Sequence, residues 1–186
     1  MLTQRIIGAF TFRKGVYKDV EHDPSFTSTA WLIVIVVAFL SQLGTFSFGA
    51  SWLVASLVGT VFAVIGFAVA AFVVSWVGKS VYKADVTFDE MVRTLGLAYV
   101  WRVVGVVGIL GGFLSCLLAP ALIAAFILGL VAWFVAAKEA LDLEWGQTII
   151  TVILGWLVIL VFSIITSLIL TALGVGAATV WSAFGF

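Results

Sequence analysis

An all-α integral membrane protein, with five transmembrane helices and a short N-terminal interfacial amphipathic helix, is the fold class this sequence predicts. Three observations carry that expectation. The chain is 64% hydrophobic and 10% charged, against about 45–50% and 25% in soluble globular domains. Its apolar runs exceed the ~18 residues that mark a membrane helix. Its charges gather in residues 5–23, 79–93 and 138–144, between the runs, and Arg102 alone falls inside an apolar segment. Residues 1–186 are therefore read as one membrane domain.

Residues 1–23 form the cytoplasmic or interfacial segment. Leu2, Ile6, Ala9 and Phe10 share one helical arc, with Gln4, Gly8 and Thr11 opposite. Such a helix lies among headgroups, where Arg5, Arg13 and Lys14 meet anionic lipid. Asp23-Pro24 opens the first span, about residues 24–43: Asp accepts bonds from free backbone amides, and Pro at the first helical position sacrifices none. That length reaches roughly 30 Å, the thickness of the hydrocarbon core. Residues 46–50 make a short uncharged turn.

The second span covers about residues 51–78, where Ala55, Gly59 and Ala63 form a small-residue stripe for close helix approach. After the connection 79–85, Thr87 and Glu90 read as a capping box that starts the third helix at Phe88. Its span is about residues 92–112, with Gly105, Gly108 and Gly112 as a further packing surface. Pro120 is read as the first residue of the fourth helix, span 120–138, and Asp142 as the cap of the fifth, span 147–173. Trp52 and Trp181 on one side, and Trp76 and Trp145 on the other, fit interfacial belts.

Five spans place the termini on opposite sides, and the positive-inside rule orients them. Arg5, Arg13, Lys14 and Lys18 precede the first span, Lys79, Lys83 and Arg93 join the second to the third, and Lys138 lies between the fourth and fifth. The opposite loops and the tail carry no charge. The N-terminus is expected in the cytoplasm and the C-terminus outside, in a membrane read as the bacterial plasma membrane.

Arg102 heads the candidate functional residues, because a charge within a span costs about 2.5–3.5 kcal/mol on insertion scales. Two readings stand: it snorkels toward cytoplasmic headgroups, or it binds a lipid or ligand. Tyr99, Lys79 and Lys83 join it as candidate lipid, ligand or partner contacts. No Asp or Glu lies in any span, so a buried ion pair would need an acid from another chain. Ser163, Thr166 and Ser167 are the best pore-lining candidates, although such hydroxyls more often bond to their own helix. His22, between Glu21 and Asp23, lacks the spacing to build a metal site.

No span holds a nucleophile and base, and no phosphate loop or metal motif occurs, so no catalytic residue, cofactor or metal is expected. Zero net charge argues against nucleic acid as a partner.

The order of features resembles the YIP1 family, in its small bacterial form. The carrying stretches are Arg5-Ile6-Ile7-Gly8-Ala9, then Val16-Tyr17-Lys18-Asp19-Val20-Glu21-His22-Asp23-Pro24-Ser25 before an apolar helix. Thr87-Phe88-Asp89-Glu90-Met91-Val92-Arg93-Thr94-Leu95-Gly96-Leu97-Ala98-Tyr99 leads into the third helix, and Trp133 through Glu139-Ala140-Leu141 leaves the fourth. Val100, Trp101 and Arg102 stand where members commonly carry a proline, so the third helix is expected without the family's kink. The resemblance implies five membrane helices with a cytoplasmic N-terminus. It also implies, by analogy with longer eukaryotic relatives, a Rab-type GTPase partner.

The leading expectation is a non-enzymatic interaction, scaffold or membrane-organising protein, an accessory subunit of a larger membrane complex. Its partners would be the bilayer and another membrane protein or a second copy. The alternative is a channel or transporter for a small solute or lipid.

Overall fold

In a bilayer core no water meets the backbone, so a chain this apolar satisfies its N–H and C=O groups within helices. The computed structural model describes residues 2–45, 52–110 and 115–172, which contain no β-strand. The helices are α1 (Leu2–Phe10), α2 (Val16–Glu21), α3 (Phe26–Thr45), α4 (Trp52–Tyr82) and α5 (Phe88–Ala98). A 3₁₀ segment, Tyr99–Leu110, continues α5, and α6 (Ser115–Leu141) and α7 (Trp145–Ala172) follow. The turn 46–50, Gly112 and the tail with Trp181 lie outside the described residues.

Four helical stretches are long and apolar enough to cross a membrane: Phe26–Gly44, Trp52–Tyr82, Ala119–Leu141 and Trp145–Ala172. Each is lined by exposed apolar side chains, such as Leu57 and Val61 on α4 and Leu157 and Leu168 on α7. These side chains belong against lipid.

The expected third span is not one α-helix. The 11 residues of α5 pass into 12 residues of 3₁₀ geometry at Tyr99, with no proline at the change. Val100, Val103, Val104, Val106 and Val107, interspersed with Gly105 and Gly108, make this stretch a poor α-helix former. Three residues per turn place positions three apart in line, so Tyr99, Arg102, Gly105 and Gly108 share one edge. There α3 comes close enough that a Cβ on Gly105 would lie 2.7 Å from Ser41 Oγ, and one on Gly44 would run into the Gly105 carbonyl.

The other expected packing residues sit as follows. Ala55 is buried and Ala63 packs partly buried on the core. Gly59 faces α3, where a Cβ would lie 2.8 Å from Gln42 Oε1. Along α4 and α7, Gly66 meets Phe162 and Gly155 meets Val74. At the centre, the ring of Phe67 makes edge contacts with Trp31, Tyr99 and Trp133 at centroid distances of 5.8, 5.3 and 6.1 Å. Five elements, α3, α4, the 3₁₀ segment, α6 and α7, are joined through these rings and the Trp133–Trp156 pair at 6.3 Å.

Three local expectations are corrected. Pro120 lies inside α6, not at its first position; the helix begins a turn earlier, and the proline lacks the N–H that would bond the Cys116 carbonyl. Asp142 does not cap α7. It takes a left-handed φ of 48° after α6 and donates its amide to Lys138 O at 3.1 Å, while Glu144 O accepts from Thr148 N at 3.0 Å. Gly8 points inward, because a Cβ there would lie 2.9 Å from Val16 Cγ2.

Gly155→Ala sets a methyl 2.6 Å from Val74 Cγ2 and is expected to cost about 1–3 kcal/mol. Gly146→Ala, with nothing within 4 Å, is expected to leave the melting temperature in detergent unchanged or raise it. Thermal unfolding of the two variants side by side checks the contrast.

Candidate functional site

The charged stretches, far apart in sequence, meet on one face. Its geometry starts at the capping box. Thr87 Oγ1 accepts from Glu90 N at 3.2 Å, and Glu90 Oε2 accepts from Thr87 N at 2.6 Å, fixing the first turn of α5. One turn on, Arg93 is only 6% exposed. Its Nε donates to the Glu21 carbonyl at 3.0 Å, Nη2 donates to the same oxygen, and Nη1 donates to Thr27 Oγ1 at 3.1 Å. Glu90 Oε1 lies 3.9 Å from Nη2. The guanidinium thus sits on the C-terminal carbonyl of α2, where the helix dipole favours a cation. It ties α2, α3 and α5 together.

The third charged stretch joins through α2. Lys18 N donates to Glu139 Oε2 at 3.0 Å, and Lys18 Nζ pairs with Asp142 at 3.5 Å. Arg5 pairs with Asp23 at 2.8 Å and Arg13 with Asp19 at 3.5 Å, which bring α1 and the α1–α2 turn onto the same face. The Asp23 carboxylate also accepts from Ser25 N at 3.1 Å, as an N-cap does. Its pKa is held below the ordinary value by the Ser25 hydroxyl first and Arg5 second.

Two acidic groups are enclosed here. Glu21 Oε2 and the Tyr17 hydroxyl are buried without a hydrogen-bond partner among the described residues. Burial raises the Glu21 pKa above 4.5, aided by the charges of Asp142 and Glu90 and opposed by His22 and Lys18. Burial, then the negative charge of Glu139, raises that of Tyr17.

Lys79 and Lys83 are exposed at the end of α4, with Lys83 in the left-handed region at φ 61°. They enter no ion pair among the described residues and do not converge with Arg102. Arg102 is exposed, and its guanidinium lies over the buried Tyr99 ring at 5.3 Å from the centroid. Those two residues are the candidate pair that the fold does bring together. Beside them runs a groove of about 120 Å³. Leu122, Ala125, Phe126, Gly129, Leu130 and Trp133 form its α6 wall, and their three- and four-residue spacing makes one helical face about 17 Å long. Ala98, Trp101, Arg102 and Gly105 form the opposite wall, and Trp156 and Ile159 close the side.

Two of the three hydroxyls expected as pore candidates, Ser163 and Thr166, bond to their own helix. Ser163 Oγ donates to Ile159 O at 3.0 Å and Thr166 Oγ1 to Phe162 O at 2.7 Å. No cluster of metal-ligating side chains occurs among the described residues. No family model, curated protein or solved structure matches the chain.

Sequence reasoning counted Arg93 only as a positive charge in a loop. Nothing local marks its role, since its acceptor is a main-chain oxygen 72 positions away.

The raised Glu21 pKa carries a definite sign. The folded state holds this proton more tightly than the unfolded chain. The group's contribution is therefore fully present below about pH 4.5 and is lost as pH rises through the raised value. Glu21→Gln is expected to raise the melting temperature at about pH 8 and to leave it unchanged at about pH 4. Unfolding at the two pH values checks this.

Proposed function

We propose that this chain is a non-enzymatic integral membrane protein that acts as an interaction, scaffold or membrane-organising component. It serves as an accessory subunit of a larger membrane complex. One observation carries the reading: three charged stretches, separated by apolar runs, are locked into one face by Arg93, Lys18 and their acceptors. The outer rim of that face remains open, with the Asp142 and Asp19 side chains 75% and 62% exposed, and Lys79 and Lys83 are exposed at the end of α4. A rigid rim of both signs suits a complementary protein surface, either another membrane subunit or a second copy, better than it suits nucleic acid.

The proposal includes five crossings. The 11 residues of α5 and 12 of the 3₁₀ segment, at about 1.5 and 2.0 Å per residue, reach roughly 40 Å. That is enough to traverse the bilayer beside α3. The positive-inside rule then turns the charged face to the cytoplasm of a bacterial cell, with the C-terminus outside and α1 lying in the interface. The likeness to the YIP1 family belongs to the same proposal, in architecture more than in a GTPase partner. A route for solutes finds less support, because the Ser163 and Thr166 hydroxyls bond to their own helix.

Reporters fused at each end check the crossing number: an N-terminal reporter active in the cytoplasm and a C-terminal one active outside are expected. Both ends in the cytoplasm would overturn the fifth crossing. Gentle-detergent capture from the native membrane is expected to recover a stoichiometric membrane protein or a dimer. Reversing Asp19 and Asp142 to Lys together is expected to lower that recovery at least about tenfold at low salt. A monodisperse monomer with no partner would sink the scaffold reading.

A further inference from the structure

Arg102 stands apart from the charged face, the one basic residue of the chain inside an apolar run. Among the described residues it makes no ion pair and no hydrogen bond, and its one partner is the face of the Tyr99 ring. A guanidinium carries five donors and is poorly served by a ring alone. No carboxylate lies in any helix that could approach it within the membrane. The 3₁₀ geometry sets Arg102 directly in line with Tyr99, and the guanidinium over that ring is directed back toward the charged face.

The groove beside it has matching character. One end carries the positive charge. Beyond that, the α6 face offers Leu122, Phe126 and Leu130, and Gly105 and Gly129 keep the floor low. Across it, Trp156 holds an enclosed indole N–H with no acceptor among the described residues. The groove follows α6 for about 17 Å, so its long axis runs with the membrane helices. Phe126 and Ile127, at 38% and 52% exposure, leave its flank open to lipid. At the charged end, Trp101 donates to the Ala9 carbonyl at 3.4 Å and contacts the rings of Phe10 and Phe12, so α1 forms a sill at that level.

We infer that this groove is a phospholipid site. The lipid phosphate sits on Arg102 at the end bordered by α1, and one acyl chain lies along Leu122, Phe126 and Leu130 of α6. A phosphate gives the guanidinium the charge-assisted, two-pronged acceptor it lacks, and the acyl chain covers the exposed Phe126 and the half-buried Leu122 and Leu130 beside it. Neither Asp19 nor Asp142 lines the groove. Capture of a protein partner and retention of lipid are therefore separate readouts, and either can fail alone.

The test uses the full-length chain, delipidated in mild detergent and examined by native mass spectrometry with added phosphatidylglycerol or with diacylglycerol of the same acyl chains. Wild type is expected to retain phosphatidylglycerol and not diacylglycerol. Arg102→Gln should weaken retention about tenfold or more, with Arg102→Lys intermediate. Ala125→Phe, which narrows the groove without touching a charge, should also release the lipid. Equal retention of the two lipids, undiminished retention by Arg102→Gln, or displacement by millimolar inorganic phosphate would overturn the inference. Should Arg102→Gln fail to fold, Ala125→Phe decides: lipid retained in that variant overturns it too.

Discussion

A guanidinium that leaves water must have its donors satisfied, and at Arg93 that requirement organises the molecule. The side chain is nearly sealed, so its three bonds to the Glu21 carbonyl and Thr27 hydroxyl hold their geometry without competition from solvent. Because these acceptors belong to α2 and α3, while the arginine rides on α5, the bonds fix how the chain enters the membrane. The α2 helix then presents Lys18 to Glu139 and Asp142, and the end of α6 is drawn to the same place. The enclosure that protects these bonds also surrounds the Glu21 carboxyl, which stays unpartnered and holds its proton more firmly.

The two arginines of this segment divide the work. Arg93 points into protein, meets a backbone oxygen and is spent on architecture. Arg102 follows after the α-helix has given way to 3₁₀ winding, emerges on the outside of the bundle and is left with an aromatic face. The change of winding creates this difference. An α-helix would set successive residues 100° apart, whereas 3₁₀ geometry lines up Tyr99, Arg102 and Gly105, placing a charge one turn from the glycine that packs on α3.

What could be read from the sequence was local or statistical. The Thr87–Glu90 box depends on residues three positions apart and formed, while Asp23 accepts from Ser25 N in the turn before α3, which begins at Phe26 and not at Pro24. The apolar runs depend on composition, and four gave helices of spanning length. Gly59 and Gly105 also took up close contacts with α3. The failures share a different cause. Pro120 and Asp142 were placed by propensity at helix starts, but α6 runs from Ser115 to Leu141 with Pro120 inside it, and α7 begins at Trp145. The winding change at Tyr99 has no proline to announce it, only a run of valines whose effect depends on the surrounding helices. The groove at Arg102 needed α6 and α7 in place before its walls existed.

A contact that reads main chain has an evolutionary consequence. The Arg93 guanidinium grips the peptide oxygen of residue 21, which every amino acid supplies. The side chain there can therefore drift without loosening the grip, and the two positions need not change together. Paired substitutions, the usual trace that touching residues leave among descendants, would be missing from this long-range polar contact. Its mark would be one-sided: an arginine held constant opposite a position free to vary.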